Sequence, residues 1–372
     1  MKKIFRFISI ITCLSFLLCA CTNGQSGSDV EPDGSTNTNE TVETSEQSKL
    51  NVITPTAYSH VNNINLEPGS SISIIGRYSD DSFWSQVEAG ANYAIEQINA
   101  ALGYTGSDKI KLAYSAPEVR DDVNEQINIL DEELSRYPVA IGIAAIDTSA
   151  CSLQFDLASE NNIPIITVDS GSDYQHVATH IATDNMEAAS TAASKLAYAI
   201  GEAGEVAIVV QDSTSMTALN RLEGFTDTIA ADFPEISIVH TYHLDNVDPT
   251  AEVQSLSPED TVKMILENNP NLKGIYATNL DTTQLVAQVL TDMERTDLTL
   301  VGFDGGEEQL ALLEDGTVDG LILQNPFGMG YATVIAAARV TGELGNDSFI
   351  NTGYVWVTKD NMTDTTIANM LY

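Results

Sequence analysis

The chain has 372 residues, enough for two or three domains of ordinary size. Lys and Arg number 16 against 53 Asp and Glu, a formal net charge of −37, which argues against a nucleic-acid partner and against adsorption to an anionic membrane surface. The 43% hydrophobic fraction suits a chain that buries a core, and the placing of Cys13, Cys19 and Cys21 at one end, with only Cys151 beyond, excludes a disulfide framework.

Lys2, Lys3 and Arg6 form a positive start, followed by an apolar run from Ile8 to Leu18. That run is too short to span a membrane and has the form of a signal-peptide core. The segment ends Leu18-Cys19-Ala20-Cys21, which resembles the bacterial lipobox. The resemblance implies cleavage after residue 20, a lipid on Cys21, and retention on the extracytoplasmic face of a bacterial cell membrane. Loss of residues 1–20 removes three basic and no acidic residues, leaving the remainder three units more negative. Residues 21–68 are expected to be a lipidated Cys and a disordered tether, because 22–48 are Ser, Thr, Asn, Gly, Asp and Glu with almost nothing apolar. A flexible tether of this length reaches roughly 35–40 Å.

From Ser71 strands and helices alternate. SISIIGR (71–77) reads as a buried strand, and Trp84, Val87, Ala91, Ile95 and Ile98 recur at helical spacing behind Asp81 and Ser82 as N-cap candidates. A strand over 109–115 leads to a helix with Val123, Ile127, Leu130 and Leu134 on one face. Strands at 140–146 and 163–169 flank a helix near 153–161. Downstream, helices at 186–200, 217–231, 258–268, 282–293 and 307–313 each lead to a strand, at 205–211, 236–244, 273–279, 298–304 and 318–325; a helix at 328–341 precedes a last strand at 354–358. Apolar strands alternating with helices of 10–15 residues indicate parallel sheets covered on both faces. About ten to twelve strands exceed one comfortable open sheet, so the fold class is α/β with two doubly wound parallel-sheet lobes.

Ligands of open α/β sheets sit beyond the carboxyl ends of the strands. Those ends carry Asp81, Phe83 and Trp84 after the first strand and Asp169 after the fourth, then Asn279, Asp304 and Gln324, with Arg221 on a helix between. Two aromatics, several carboxylates and amides and one guanidinium suit a small neutral polyhydroxylated ring. Aromatic faces pack on its C–H surface, and the polar groups meet its hydroxyls.

These residues also carry a resemblance. Asp80-Asp81-Ser82-Phe83-Trp84, Ile163-Pro164-Ile165-Ile166-Thr167-Val168-Asp169, Thr183-Asp184-Asn185, Arg221-Leu222-Glu223-Gly224-Phe225 and Val301-Gly302-Phe303-Asp304-Gly305 follow the order and spacing of the periplasmic sugar-binding proteins of the ribose/galactose type. Over about 71–358 the chain is similar to these solute-binding subunits of ABC importers. The resemblance implies that Phe83 and Trp84 stack on the sugar and that Asp81, Asp169, Asn279 and Asp304 bond its hydroxyls. It also implies that Arg221 forks across two oxygens and that Gln324 lies at the hinge edge. Two departures stand out: Ser170 replaces the Arg that ribose-type members carry after the fourth-strand Asp, and no second stacking aromatic falls at 244–246, with Tyr242 the nearest.

Three crossings, at Thr183, Gln324-Asn325 and Thr352-Gly353, are expected to join lobes made of 69–182 plus 325–352 and 183–324 plus 353–372. The expected protein is a lipid-anchored monomer that takes a monosaccharide-like small molecule by hinge closure and delivers it to an ABC permease. The alternative is a subunit that presents the sugar to a sensor kinase or receptor without transport. No P-loop, G-x-S-x-G elbow or dinucleotide loop is present, so neither catalysis nor a cofactor is implied. His176 and His180, four apart, lack further ligands at metal-binding spacing, and Cys151 reads as a small buried hydrophobe.

Overall fold

In the computed structural model, residues 44–245 and 256–372 are described. The expected signal peptide (1–20) and the lipidation site Cys21 lie outside these residues. The first half runs α1 (Ser45–Asn51), β1 (Ser71–Ile75), α2 (Ser82–Leu102), β2 (Lys111–Ser115), α3 (Val123–Ser135), β3 (Ala140–Ile143), α4 (Ser152–Glu160), β4 (Ile165–Val168) and β5 (Thr179–Ala182). The second runs α5 (Asn185–Ala199), β6 (Gly204–Val210), α6 (Met216–Asp232), β7 (Ile236–His243), α7 (Pro258–Asn268), β8 (Leu272–Ala277), α8 (Leu280–Asp292), β9 (Thr299–Phe303), α9 (Glu307–Asp315) and β10 (Gly320–Gln324). The chain then returns through α10 (Pro326–Thr341), β11 (Phe349–Asn351), β12 (Tyr354–Val357) and α11 (Thr365–Ala368).

Two six-stranded sheets result, ordered β11-β5-β4-β3-β1-β2 and β12-β10-β9-β8-β6-β7. All pairings are parallel except that of β12 with β10. Each sheet repeats one winding, in which the second strand pairs outside the first and the third pairs on its other side. The chain therefore reverses direction between β1 and β3, and again between β6 and β8. Such a switch point opens a crevice at the strand ends, where an α/β sheet binds its ligand. Strands β3 and β4 are buried at every residue, which explains their unbroken apolar runs.

The chain crosses between the sheets at Thr183, at Asn325 and at Thr352-Gly353. Asn325 ties two of these crossings together: its Nδ2 donates to Thr352 O (2.9 Å) and to Lys49 O (2.7 Å). Helix α10 is buried from Pro326 to Ala338. It lies directly on α2, since a Cβ on Gly330 would stand 1.8 Å from Val87 O and one on Gly90 1.9 Å from Phe327 O. Only glycine permits that approach of two backbones.

The structure corrects the sequence reading in two places. Residues 44–68, expected to belong to the tether, carry α1 and bury Leu50, Ile53, Tyr58, Ile64 and Leu66 against α10 and its sheet. The apolar residues are spaced too widely there to show a period, and α10 supplies the surface that orders them. Strands β5 and β11 were not anticipated either. They are four and three residues long, too short for a hydrophobic pattern, and they exist by pairing with β4 and with each other.

Candidate functional site

A cleft between the two sheets holds about 600 Å³ of space, part of it open to solvent. All eight expected contact residues line it: Asp81, Phe83, Trp84, Asp169, Arg221, Asn279, Asp304 and Gln324. They come from both sheets, so a molecule in the cleft touches both lobes.

Phe83 and Trp84 begin α2, with their rings edge to face at 5.0 Å and both nearly buried. Two adjacent helical residues cannot share one face, so at a helix start inside a cleft both reach the cavity from different sides. Asp81 caps that helix: its Oδ1 accepts from Phe83 N–H at 2.8 Å, and its Oδ2 accepts from Arg120 at 2.9 Å. Asn279 likewise caps α8, its Oδ1 accepting from Thr282 N–H at 3.0 Å within a capping box. Capping therefore orients two of the expected contacts and occupies part of their hydrogen-bonding capacity.

Asp169 and Asp304 stand at equivalent places, after the fourth strand of each sheet. Both have positive φ, 58° and 70°. Each N–H donates at 2.8 Å to the next strand, to Ile181 O and Ile322 O respectively. Asp tolerates this left-handed region better than most residues, and the turn directs the carboxylate into the cleft. Gly305 completes the second turn: a Cβ there would lie 1.9 Å from Leu323 Cδ1. Burial raises Asp169 to about 6, against the pull of Arg221 and Arg77. Asp304 is raised as well, again by burial, with Arg221 and the Gln324 hydrogen bond opposing.

Arg221 is buried on α6, its guanidinium 3.8 Å from the Phe303 ring. Nε donates to Asn185 Oδ1 and Nη1 to Thr278 O, both at 2.7 Å. Neither bond uses Nη2, which leaves donors for the cleft. Gln324 Nε2 donates to Asp304 Oδ1 at 2.7 Å, while its Oε1 is buried without a partner. An orphaned buried acceptor beside a cavity marks a place for a donor from outside the protein.

Sequence reasoning passed over the other eight lining residues: Arg77, Tyr78, Arg120, Asp121, Gln211, Thr217, Leu280 and Asp281. Arg77 lies two residues past the first strand of its sheet and Gln211 directly follows that of the other, so the strand-end rule reaches them. Arg120 sits five residues beyond β2, stacks 4.5 Å from the Tyr78 ring, and pairs across the cleft with Asp281 at 3.4 Å. Arg77 makes a similar crossing to Asp212 at 3.7 Å.

The remaining sequence features resolve locally. Ser170 Oγ is buried without a partner, and Tyr242 packs into the second lobe's core, away from the cleft. His180 lies on β5 against Thr167 Oγ1 at 2.9 Å, and burial lowers it to about 4. Burial pushes the Cys151 thiol up to about 11. No group of metal-ligating side chains occurs among the described residues, and none of their helices is long and apolar enough to cross a membrane.

Two doubly wound sheets facing each other across a polar, aromatic-walled cleft, with three chain crossings between them, define a two-lobed solute-binding protein of the type I periplasmic architecture. Residues 72–344 match the family described as periplasmic binding protein domain, and the chain belongs to that family. The chain is 27% identical over 281 residues to a D-apiose import binding protein of Actinobacillus succinogenes, covering 74% of this chain and 84% of that one. It is 24% identical over 264 residues to a xylitol-binding protein of Mycolicibacterium smegmatis, covering 70% and 72%. Among solved structures, a carbohydrate transporter solute-binding protein from Agrobacterium radiobacter in complex with D-arabinose superposes with a TM-score of 0.71 at 28% identity, over 82% of this chain and 99% of that one. An ABC transporter solute-binding protein from Agrobacterium vitis, bound to α-D-tagatopyranose, gives 0.71 at 27% identity over the same shares.

Proposed function

We propose that this protein is an extracytoplasmic solute-binding lipoprotein that captures a monosaccharide or related polyol between its lobes and delivers it to an ABC permease. The observation that carries the reading is the cleft itself. Adjacent aromatics from one lobe face buried Asp, Arg and Gln side chains from both, an arrangement suited to a ring with apolar faces and a hydroxylated edge. Five lining carboxylates outnumber three lining guanidiniums, so the cleft favours a neutral ligand over an anion. The sugars and polyols named for similar proteins agree with this chemistry.

The cleft serves capture without any chemical step. A ligand that bonds groups on both lobes binds the closed arrangement better and shifts the population towards it. The closed form is then what the permease engages. The two lobes are 69–182 plus 325–352, with 44–68 packed onto it, and 183–324 plus 353–372. A signal peptide over 1–20 and a lipid on Cys21 hold a monomer at the membrane; the sequence at 18–21 supports that part of the reading.

The test is a thermal-shift screen of the purified protein against pentoses, hexoses and polyols. A saturating ligand at about 100 times its Kd raises stability by about 2.7 kcal/mol, a shift of several degrees. No shift with any of these compounds overturns the reading.

A further inference from the structure

One aromatic near the cleft comes from outside the stretch that matches the family. After α11 the chain buries Met370 in the second lobe's core, and Asn369 Nδ2 reaches Ser48 Oγ at 3.3 Å beside α1. Anchored in this way, Tyr372 extends towards the cleft. Its ring meets Phe83 edge-on, with centroids 5.8 Å apart and planes at 75°. Its hydroxyl lies 3.4 Å from Asp304 Oδ1, a long contact that a small shift would tighten. A single side chain therefore touches one cleft residue from each lobe. Burial and the neighbouring Asp304 hold the phenol well above its ordinary titration range, so it stays protonated and remains a donor.

A carboxylate offers about four acceptor positions. On Asp304 one is taken by Gln324 Nε2, one by Leu280 N–H at 3.1 Å, and one is faced by the Tyr372 hydroxyl. What remains for a ligand hydroxyl is narrow in direction. The edge contact with Phe83 similarly limits the tilt of the ring on which a ligand would pack. We propose that Tyr372 is a positioning residue of the cleft, fixing the open acceptor direction of Asp304 and the plane of Phe83 and so selecting among sugars that differ in hydroxyl configuration. The inference rests on the sugar-binding reading above.

The experiment measures affinities of D-ribose, D-arabinose, D-tagatose and xylitol by calorimetry for wild type, Tyr372→Phe and Tyr372→Leu, with the ligand-free melting temperature of each. Tyr372→Phe keeps the ring and loses only the hydroxyl. Its ligand-free melting should match wild type, while its affinities fall unequally, by about threefold to tenfold for the sugars that engage Asp304 and little for the others. Tyr372→Leu removes the ring edge as well and should lose more. If Tyr372→Phe keeps all wild-type affinities, or loses them equally for every compound, Tyr372 is only packing and the inference is overturned. If wild type itself binds none of the four, the sugar reading fails first and takes this inference with it.

Discussion

The ends of β4 and β9 are built alike and furnished differently. Asp169 and Asp304 share a positive φ, a backbone bond to the next strand and a buried carboxylate. Yet Asp304 accepts from Gln324, from Leu280 N–H and from Tyr372, while no hydrogen bond to the Asp169 carboxylate is formed among the described residues. One carboxylate is part of the second lobe's internal structure as well as of the cleft. The other is held only by its backbone and by the fields of Arg77 and Arg221. The first is a fixed reference for whatever enters the cleft, and the second is an acceptor that a ligand hydroxyl would satisfy.

The largest expected effect breaks the fixed end. Asp304→Ala strands the Leu280 N–H and the Gln324 amide inside the protein, which costs about 2–3 kcal/mol. Melting of the ligand-free protein should fall by several degrees, and sugar affinity by about 100-fold, read by calorimetry. Unchanged melting in this variant would mean that the two ends do not differ in structural role.

Asp169→Asn tests the open end and should behave in the opposite way without ligand. Burial raises the folded-state titration of Asp169 to about 6 from an ordinary 3.8, so between those values the folded state holds a proton that the unfolded chain has lost. Its contribution therefore falls as pH rises through about 4 to 6, and the ionised group costs stability above that window. Asp169→Asn removes the cost: the variant should melt above wild type at pH 7.5, with the gap closing by pH 4. Sugar affinity should still drop about tenfold at pH 7.5, because a charged acceptor is lost. In wild type the affinity should weaken as pH is lowered through 6, when that acceptor takes a proton. A variant that melts below wild type at neutral pH would show that the arginines, rather than burial, dominate at Asp169.

These paired aspartates were legible because each closes an apolar strand, where α/β sheets place their ligands. The doubly wound order was legible too, from the alternation of buried runs and amphipathic helices. What the sequence hid depends on distance along the chain. Arg120 follows an edge strand by five residues, and only the pairing of β2 with β1 brings it over the cleft. Tyr372 reaches Phe83 across 289 positions, and no local pattern announces such a contact. Asp81 and Asn279 were read as ligand contacts, with Asp81 also named as a cap. That both carboxylate and amide are partly occupied by capping is visible only when the helix starts are seen in three dimensions. Residues 44–68 were hidden for a related reason: their few apolar side chains find partners only in the first sheet, α2 and α10, the last about 270 residues away.

The lobes differ again at the rim of the cleft, and here the smallest effect is expected. The first lobe contributes guanidiniums, Arg77 and Arg120, and the second contributes carboxylates, Asp212 and Asp281. Opposite charges meet across the gap in these two pairs, and each guanidinium also pairs more closely with a carboxylate of its own lobe, Arg77 with Asp121 at 2.6 Å and Arg120 with Asp81 at 2.9 Å. The Arg120–Asp281 pair is about one-third exposed on each side, so water and salt screen it and its worth is about 0.2–1 kcal/mol. Asp281→Asn is the cleaner probe, because Asp212 also accepts from the backbone ahead of α6 and its loss would disturb that helix. Asp281→Asn should weaken sugar binding about twofold to threefold at low ionic strength and by less in 0.5 M salt, where the Debye length is only about 4 Å. The wild-type affinity should show the same direction of salt dependence, and the variant should flatten it. An affinity for a neutral sugar that does not move with salt in wild type would remove the charge asymmetry of the rim from the account of closure, and leave the paired aspartates and the arginine inside the cleft to hold the lobes together.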